Sequence, residues 1–155
     1  MRKYIFLSAL AVLLVSCSSV LITGRRQLNF VPDTEILSMS SQSYKQFIDS
    51  VPLSTNKTNT ALVKKVGKNI SVAVEEYLRN NGLASEISNL SWEFNLVKDT
   101  SKNAFCMPGG KVVVFEGILP ITKNEDGLAV VMGHEIAHAI AKHSNERLSQ
   151  QMVAQ

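Results

Sequence analysis

His134-Glu135-Ile136-Ala137-His138-Ala139-Ile140-Ala141-Lys142-His143 is the stretch on which the reading of this chain turns, because it holds all three histidines of the 155 residues. On a helix, residues four apart lie one turn above each other, so His134 and His138 aim two imidazoles at one point. That spacing suits zinc. Glu135 lies about 100° round the helix from His134, near enough to reach a water on the metal without becoming a ligand. Bound zinc lowers the pKa of that water from about 15.7 to about 7, which puts its proton within reach of a carboxylate at neutral pH. Glu135 is therefore the candidate general base, and one Zn2+ per chain the expected cofactor. A chance match to such a five-residue pattern in a chain this long is on the order of one in a few hundred.

The neighbours sharpen the signal. Leu128, Ala129, Val130, Val131, Met132, Ile136, Ala137, Ala139, Ile140 and Ala141 make this helix apolar nearly all round, which predicts a buried helix. Thr122 with Glu125 has capping-box spacing, and Asn124 and Asp126 are alternative caps, so the helix starts between 122 and 126. A catalytic zinc takes three protein ligands and a water, and this motif supplies two. His143 follows His134 by nine residues and His138 by five, which on an unbroken helix turns it about 180° and 140° away. No glycine breaks the run from Ala139 to Lys142, so the helix is predicted to continue and His143 to be a polar residue near its end. Glu146 is eight residues, about 12 Å of helix, beyond His138 and reaches the same ion only if the chain turns back sharply.

Working outward, 45% hydrophobic residues in 155 is enough for one compact domain. Part of that content is not fold. Arg2 and Lys3 precede a mostly apolar run, Tyr4 to Val15, which as a helix would be about 18 Å long against a bilayer core of about 30 Å. Residues 1–16 thus read as a signal peptide rather than a span. Leu14-Val15-Ser16-Cys17 resembles a bacterial lipobox, making Cys17 the expected lipidation site and first mature residue, with an ordinary secreted protein as the alternative. Several acyl chains on one residue anchor firmly. Ser18 and Ser19 follow, without the aspartate that retains enterobacterial lipoproteins in the inner membrane. The expected location is a bacterial cell envelope, lipid-anchored at the outer membrane and facing the periplasm. A lipidated Cys17 leaves Cys106 with no internal disulfide partner, and its flanks mark it as a packed residue rather than a nucleophile. Loss of Arg2 and Lys3 removes two positive charges from a formal +3. A nucleic-acid partner has no electrostatic support.

Residues 17–31 read as a polar, irregular tether and 32–155 as the folded domain. Pro32-Asp33 signals a helix start, and Leu37, Tyr44, Phe47, Ile48 and Val51 recur at helical spacing up to Pro52. After a Ser/Thr/Asn linker at 53–59, a second helix carries Leu62, Val66, Ile70, Ala73 and Tyr77 on one face and stops at Asn80-Asn81-Gly82. Leu90, Trp92, Phe94 and Leu96 alternate with polar residues, predicting a strand over 90–98. Asn103 to Met107, Pro108-Gly109-Gly110 and Lys111 to Phe115 predict a hairpin. Helices, then strands, then the motif helix give an α+β class. An edge strand beside a metal helix pairs with an extended peptide without demanding a sequence, and the hairpin at Val112, Val113 and Val114 is the candidate, a purely structural hairpin being the equal alternative.

Together, Gly24-Arg25-Arg26-Gln27-Leu28, Asn103-Ala104-Phe105, Pro108-Gly109-Gly110, Gly117-Ile118-Leu119, Asn124-Glu125-Asp126 and His134 to His138 resemble the HtpX- and BepA-type zinc metallopeptidases. These are gluzincins, a group that includes the CAAX prenyl proteases. The resemblance implies a zincin-like fold and metalloendopeptidase activity, with His134 and His138 as zinc ligands and Glu135 as base. It implies unfolded or misassembled envelope proteins as substrates. It also implies a third ligand, a glutamate in a Glu-x-x-x-Asp setting tens of residues downstream; this sequence ends at Gln155, so 32–155 reads as the N-terminal part of such a domain. The competing reading is a non-enzymatic envelope lipoprotein, an adaptor or chaperone-like module keeping the motif helix as core, or an inactive fragment lacking the third ligand.

Overall fold

A computed structural model describes residues 17–19, 24 and 26–154. The predicted signal peptide, 1–16, and the Cys17 side chain lie outside the described residues. Two short strands, β1 (Cys17–Ser19) and β2 (Arg26–Leu28), pair antiparallel. Helices α1 (Asp33–Ser50) and α2 (Lys57–Asn80) follow. Next come strands β3 (Glu93–Val97), β4 (Ala104–Met107) and β5 (Lys111–Phe115). The chain closes with a short α3 (Leu119–Thr122), the motif helix α4 (Glu125–Ile140) and α5 (His143–Val153). This is the expected mixture of helices and a small sheet. Among the described residues no helix is long and apolar enough to cross a membrane.

The sheet order is β3-β5-β4, with β3 parallel and β4 antiparallel to β5. β5 is central, and all five of its residues are buried, as a strand covered on both faces requires. Period-two alternation divides them. Val112 and Val114 join Val63, Val66 and Leu78 of α2 and Leu128, Met132, Ile136 and Ile140 of α4 on one face. Val113 and Phe115 meet Tyr44, Phe47 and Ile48 of α1 on the other. α1 therefore covers one side of the sheet, and α2 with α4 the opposite side.

Central placement corrects the substrate-strand assignment. Val112, Val113 and Val114 already pair with Phe94, Asn95 and Leu96 on one side and with Cys106, Phe105 and Ala104 on the other, so β5 has no free edge. The outer edge of β3 is also occupied: Leu53 bridges Val97, Ser54 N–H donates to Leu96 O at 2.8 Å, and Lys98 N–H donates to Pro52 O at 2.9 Å. The predicted linker at 53–59 is thus part sheet cover and part helix. β4 pairs on one side only among the described residues.

The hairpin turn needs its glycines. Gly109 and Gly110 have φ of +87° and +80°, and a Cβ on Gly110 would stand 2.6 Å from the Trp92 ring. α2 is rotated about one residue from the predicted face: Val63, Val66, Gly67 and Leu78 are buried, and Tyr77 is 41% exposed. The reason is a close helix–strand approach, since a Cβ on Gly67 would lie 2.3 Å from the Phe94 ring. The tether reading is also corrected. Residues after β2 are fastened to α5, where Asn145 Nδ2 donates to Val31 O at 3.0 Å and Phe30 N–H donates to Ser149 Oγ at 2.9 Å.

Two glycine substitutions separate packing from propensity. Gly67→Ala drives a methyl into Phe94, an overpacking cost of about 1–3 kcal/mol against about 1 kcal/mol of helix propensity gained, so the denaturant midpoint falls. Gly133, within α4, has open space where a Cβ would go. Gly133→Ala should raise the midpoint, corresponding to up to about 1 kcal/mol of added stability.

Candidate metal centre

α4 is capped by Asn124, whose side chain accepts from Gly127 N–H at 2.9 Å; Glu125 is then free to pair with Lys65 at 2.7 Å. The helix buries Leu128, Met132, Ile136 and Ile140, four residues at a spacing of four. Its other face is open rather than buried as predicted: Val130 is 73% exposed, and His134, Ala137 and His138 are exposed. The stripe and the histidines stand roughly 140–180° apart round the helix. Glu135 falls on the flank between them, half-buried, on the side of Cys106 in β4.

His134 Nε2 and His138 Nε2 are 3.0 Å apart. Two nitrogens each about 2.0–2.1 Å from one tetrahedral zinc stand roughly 3.3 Å apart. The pair therefore fits a shared zinc with a shift of a few tenths of an ångström. A third protein ligand is not assembled among the described residues. Among the described residues no group of three or more His, Cys, Asp and Glu is disposed to hold a metal.

The predicted continuous helix does not occur. α4 ends at Ile140, Lys142 adopts a left-handed φ of 58°, and α5 begins at His143. A left-handed non-glycine residue costs roughly 1–2 kcal/mol. Here it is held by ion pairs from Lys142 Nζ to Asp33 at 2.6 Å and Glu86 at 3.1 Å. Burial alone lowers the Lys142 pKa, and the hydrogen bonds that its ammonium donates to Asp33 and Glu86 more than offset it, leaving the ammonium above its ordinary value. The turn brings His143 back to the motif: His138 Nδ1 and His143 Nδ1 are 2.6 Å apart. The 140° separation expected on an unbroken helix is abolished. His138 meets His134 through one ring nitrogen and His143 through the other, so the three rings form a chain instead of converging on one ion.

A cleft of about 640 Å³ opens beside this chain of rings, lined by Phe105 and Cys106 of β4, Glu135, His138, His143 and Glu146. Glu146, judged too distant on a straight helix, lines the cleft because the chain reverses at Lys142. Cys106 sits at the cleft wall with its thiol pushed up to about 12 by burial and then by the negative charge of Glu135. Such a thiol stays protonated at neutral pH, which fits the packed role read from its flanks.

Comparison with known proteins adds the relationship. Residues 65–155 match the model of Peptidase family M48. The chain is 40% identical over 131 residues to the mitochondrial metalloendopeptidase OMA1 of Schizosaccharomyces pombe, covering 83% of this chain and 36% of that protein. It is 49% identical over 67 residues to the mitochondrial metalloendopeptidase OMA1 of Saccharomyces cerevisiae, covering 42% and 19%. A putative beta-barrel assembly-enhancing protease of Vibrio cholerae is 32% identical over 82 residues, covering 50% and 17%. The chain thus spans well under two thirds of each of these relatives. They also correct the predicted location. Relatives matched over 131 and 130 residues are mitochondrial, and that length of ordered identity outweighs the four-residue Leu14-Val15-Ser16-Cys17 pattern, overturning the bacterial outer-membrane placement. With more than half of its length inside the family match, the chain belongs to peptidase family M48.

Proposed function

We propose that this chain carries the metal-binding part of a zinc-dependent metalloendopeptidase, with His134 and His138 as zinc ligands and Glu135 as general base. The observation that carries the reading is the 3.0 Å approach of the two Nε2 atoms on the open face of α4, with Glu135 on the adjoining flank. Metallopeptidases of this family are zinc dependent, and relatives named as metalloendopeptidases support the same activity. We assign residues 32–155 to the peptidase domain.

Zinc, when bound, polarises a scissile carbonyl and acidifies a water. The other steps belong to the chain. Glu135 accepts the proton of the attacking water on one carboxylate oxygen and returns it to the leaving amine nitrogen, which departs neutral. His134 and His138 present unprotonated Nε2 atoms and so carry their remaining protons on Nδ1. The β4 edge holds the substrate. Phe115 N–H donates to Asn103 O, so by antiparallel alternation Phe105 and Met107 bond inward to β5, while the backbone groups of Ala104 and Cys106 face the cleft. An extended peptide adding to that edge is recognised by its backbone, which makes unfolded or misassembled proteins the fitting substrate class.

Three outcomes test the reading. Glu135→Gln should lower hydrolysis of a fluorescent casein by about 10²–10⁴-fold relative to the unmodified chain while metal content stays the same; undiminished hydrolysis removes Glu135 from the base role. Cys106→Pro deletes an N–H that points to the cleft and leaves the β4–β5 ladder bonds in place, so cleavage should fall with zinc retained. With its thiol near 12, Cys106 should react with iodoacetamide at pH 8 at least about a hundredfold more slowly than an ordinary cysteine near 8.5, as followed by mass spectrometry.

A further inference from the structure

A histidine that binds a metal through Nε2 must hold its proton on Nδ1, and metal-bound histidines are ordinarily oriented by an acceptor for that proton. For His138 the acceptor on hand is another imidazole. We propose that His143 is a positioning residue, its Nδ1 accepting a hydrogen bond from His138 Nδ1–H and so fixing the ring orientation and tautomer that free His138 Nε2 for the metal. This rests on the reading of His134 and His138 as ligands.

The protons can be followed through the chain of rings. His138 and His143 are 2.6 Å apart through their Nδ1 atoms, so one of the two carries the proton. Were His143 the donor, His138 Nδ1 would be an acceptor and Nε2 protonated, which blocks the metal. With His138 as donor, His143 is neutral with its own proton on Nε2, and the free His138 Nε2 points at His134 Nε2, 3.0 Å away. That tautomer set makes the Nδ1 contact a hydrogen bond and leaves the His138 Nε2 lone pair turned toward His134 Nε2, where a shared metal would sit. The geometry is not an accident of one helix, because residues five apart do not face each other on a regular turn. It depends on the left-handed Lys142, anchored to Asp33 of α1 and to Glu86, and on Asn145 and Ser149, which fix α5 against residues 30 and 31. Two ion pairs and two hydrogen bonds outside the motif thus aim His143 at the ring it supports.

The test is titration of Zn2+ and Co2+ into the 155-residue chain and its His138→Ala, His143→Phe and His143→Asn variants, read by calorimetry and the Co2+ absorption spectrum. Phenylalanine fills the space without an acceptor, whereas the asparagine Oδ1 replaces Nδ1. We expect His143→Phe to weaken metal binding by about 10–100-fold and His143→Asn to keep most of the wild-type affinity and the Co2+ spectrum. Equal affinity in His143→Phe and wild type overturns the proposal, as does equal loss in both His143 variants, which would mark a packing role. Wild type binding no better than His138→Ala overturns the zinc reading itself. A measurement on the wild type needs no variant to fold: nitrogen-resolved NMR of the zinc-loaded chain should show a slowly exchanging His138 Nδ1–H proton coupled to His143 Nδ1, and its absence rejects the assignment.

Discussion

The packing of Leu128, Met132, Ile136 and Ile140 onto the sheet is the interaction from which the site follows. Each side chain removed from water stabilises the fold by about 1.5–3 kcal/mol, and the four are 8% exposed or less. A helix so pinned cannot rotate. Its remaining residues are then assigned to directions by the 3.6 period alone: His134 and His138 point away from the core, and Glu135 lies on the flank toward β4. The apolar stripe therefore aims the histidines without touching them.

Sheet topology gives that flank its meaning. The parallel pairing of β3 with β5 places β5 in the middle and leaves the short β4 outermost, next to the motif helix. The segment around Leu53 closes the far edge of the sheet. What remains is one strand edge, a cleft and a carboxylate on the same side of the molecule. Gly67 permits this compact arrangement, because α2 must approach Phe94 closely for both helices to share one face of a three-stranded sheet.

The reversal at Lys142 is the second constraint. Nothing in Ala139 to Lys142 disfavours a helix, and Lys142 accepts a backbone conformation that a lysine rarely adopts. Asp33 comes from the first helix and Glu86 from the turn after the second, so the two carboxylates that hold it are distant in sequence from the lysine and from each other. With the reversal in place, His143 and Glu146 border the cleft with the motif; without it they would be spread along a straight rod.

Local periodicity was enough to find the strand expected over 90–98, of which Glu93–Val97 forms, the glycine turn of the hairpin, the capped start of the motif helix and the spacing of His134, Glu135 and His138. Each depends on residues within a few positions of one another, where backbone sterics and helix geometry act directly. The strand order, the rotation of α2, the burial of only one face of α4 and the break at Lys142 were not legible. Val112 to Val114 read equally well as an edge or a centre, because a run of valines records burial and not which neighbours do the burying. The sequence by itself determined the two early helices, the glycine hairpin and the two-histidine motif. The tertiary structure alone decided which strand stays open and that His143 meets His138, since both follow from contacts between segments far apart along the chain.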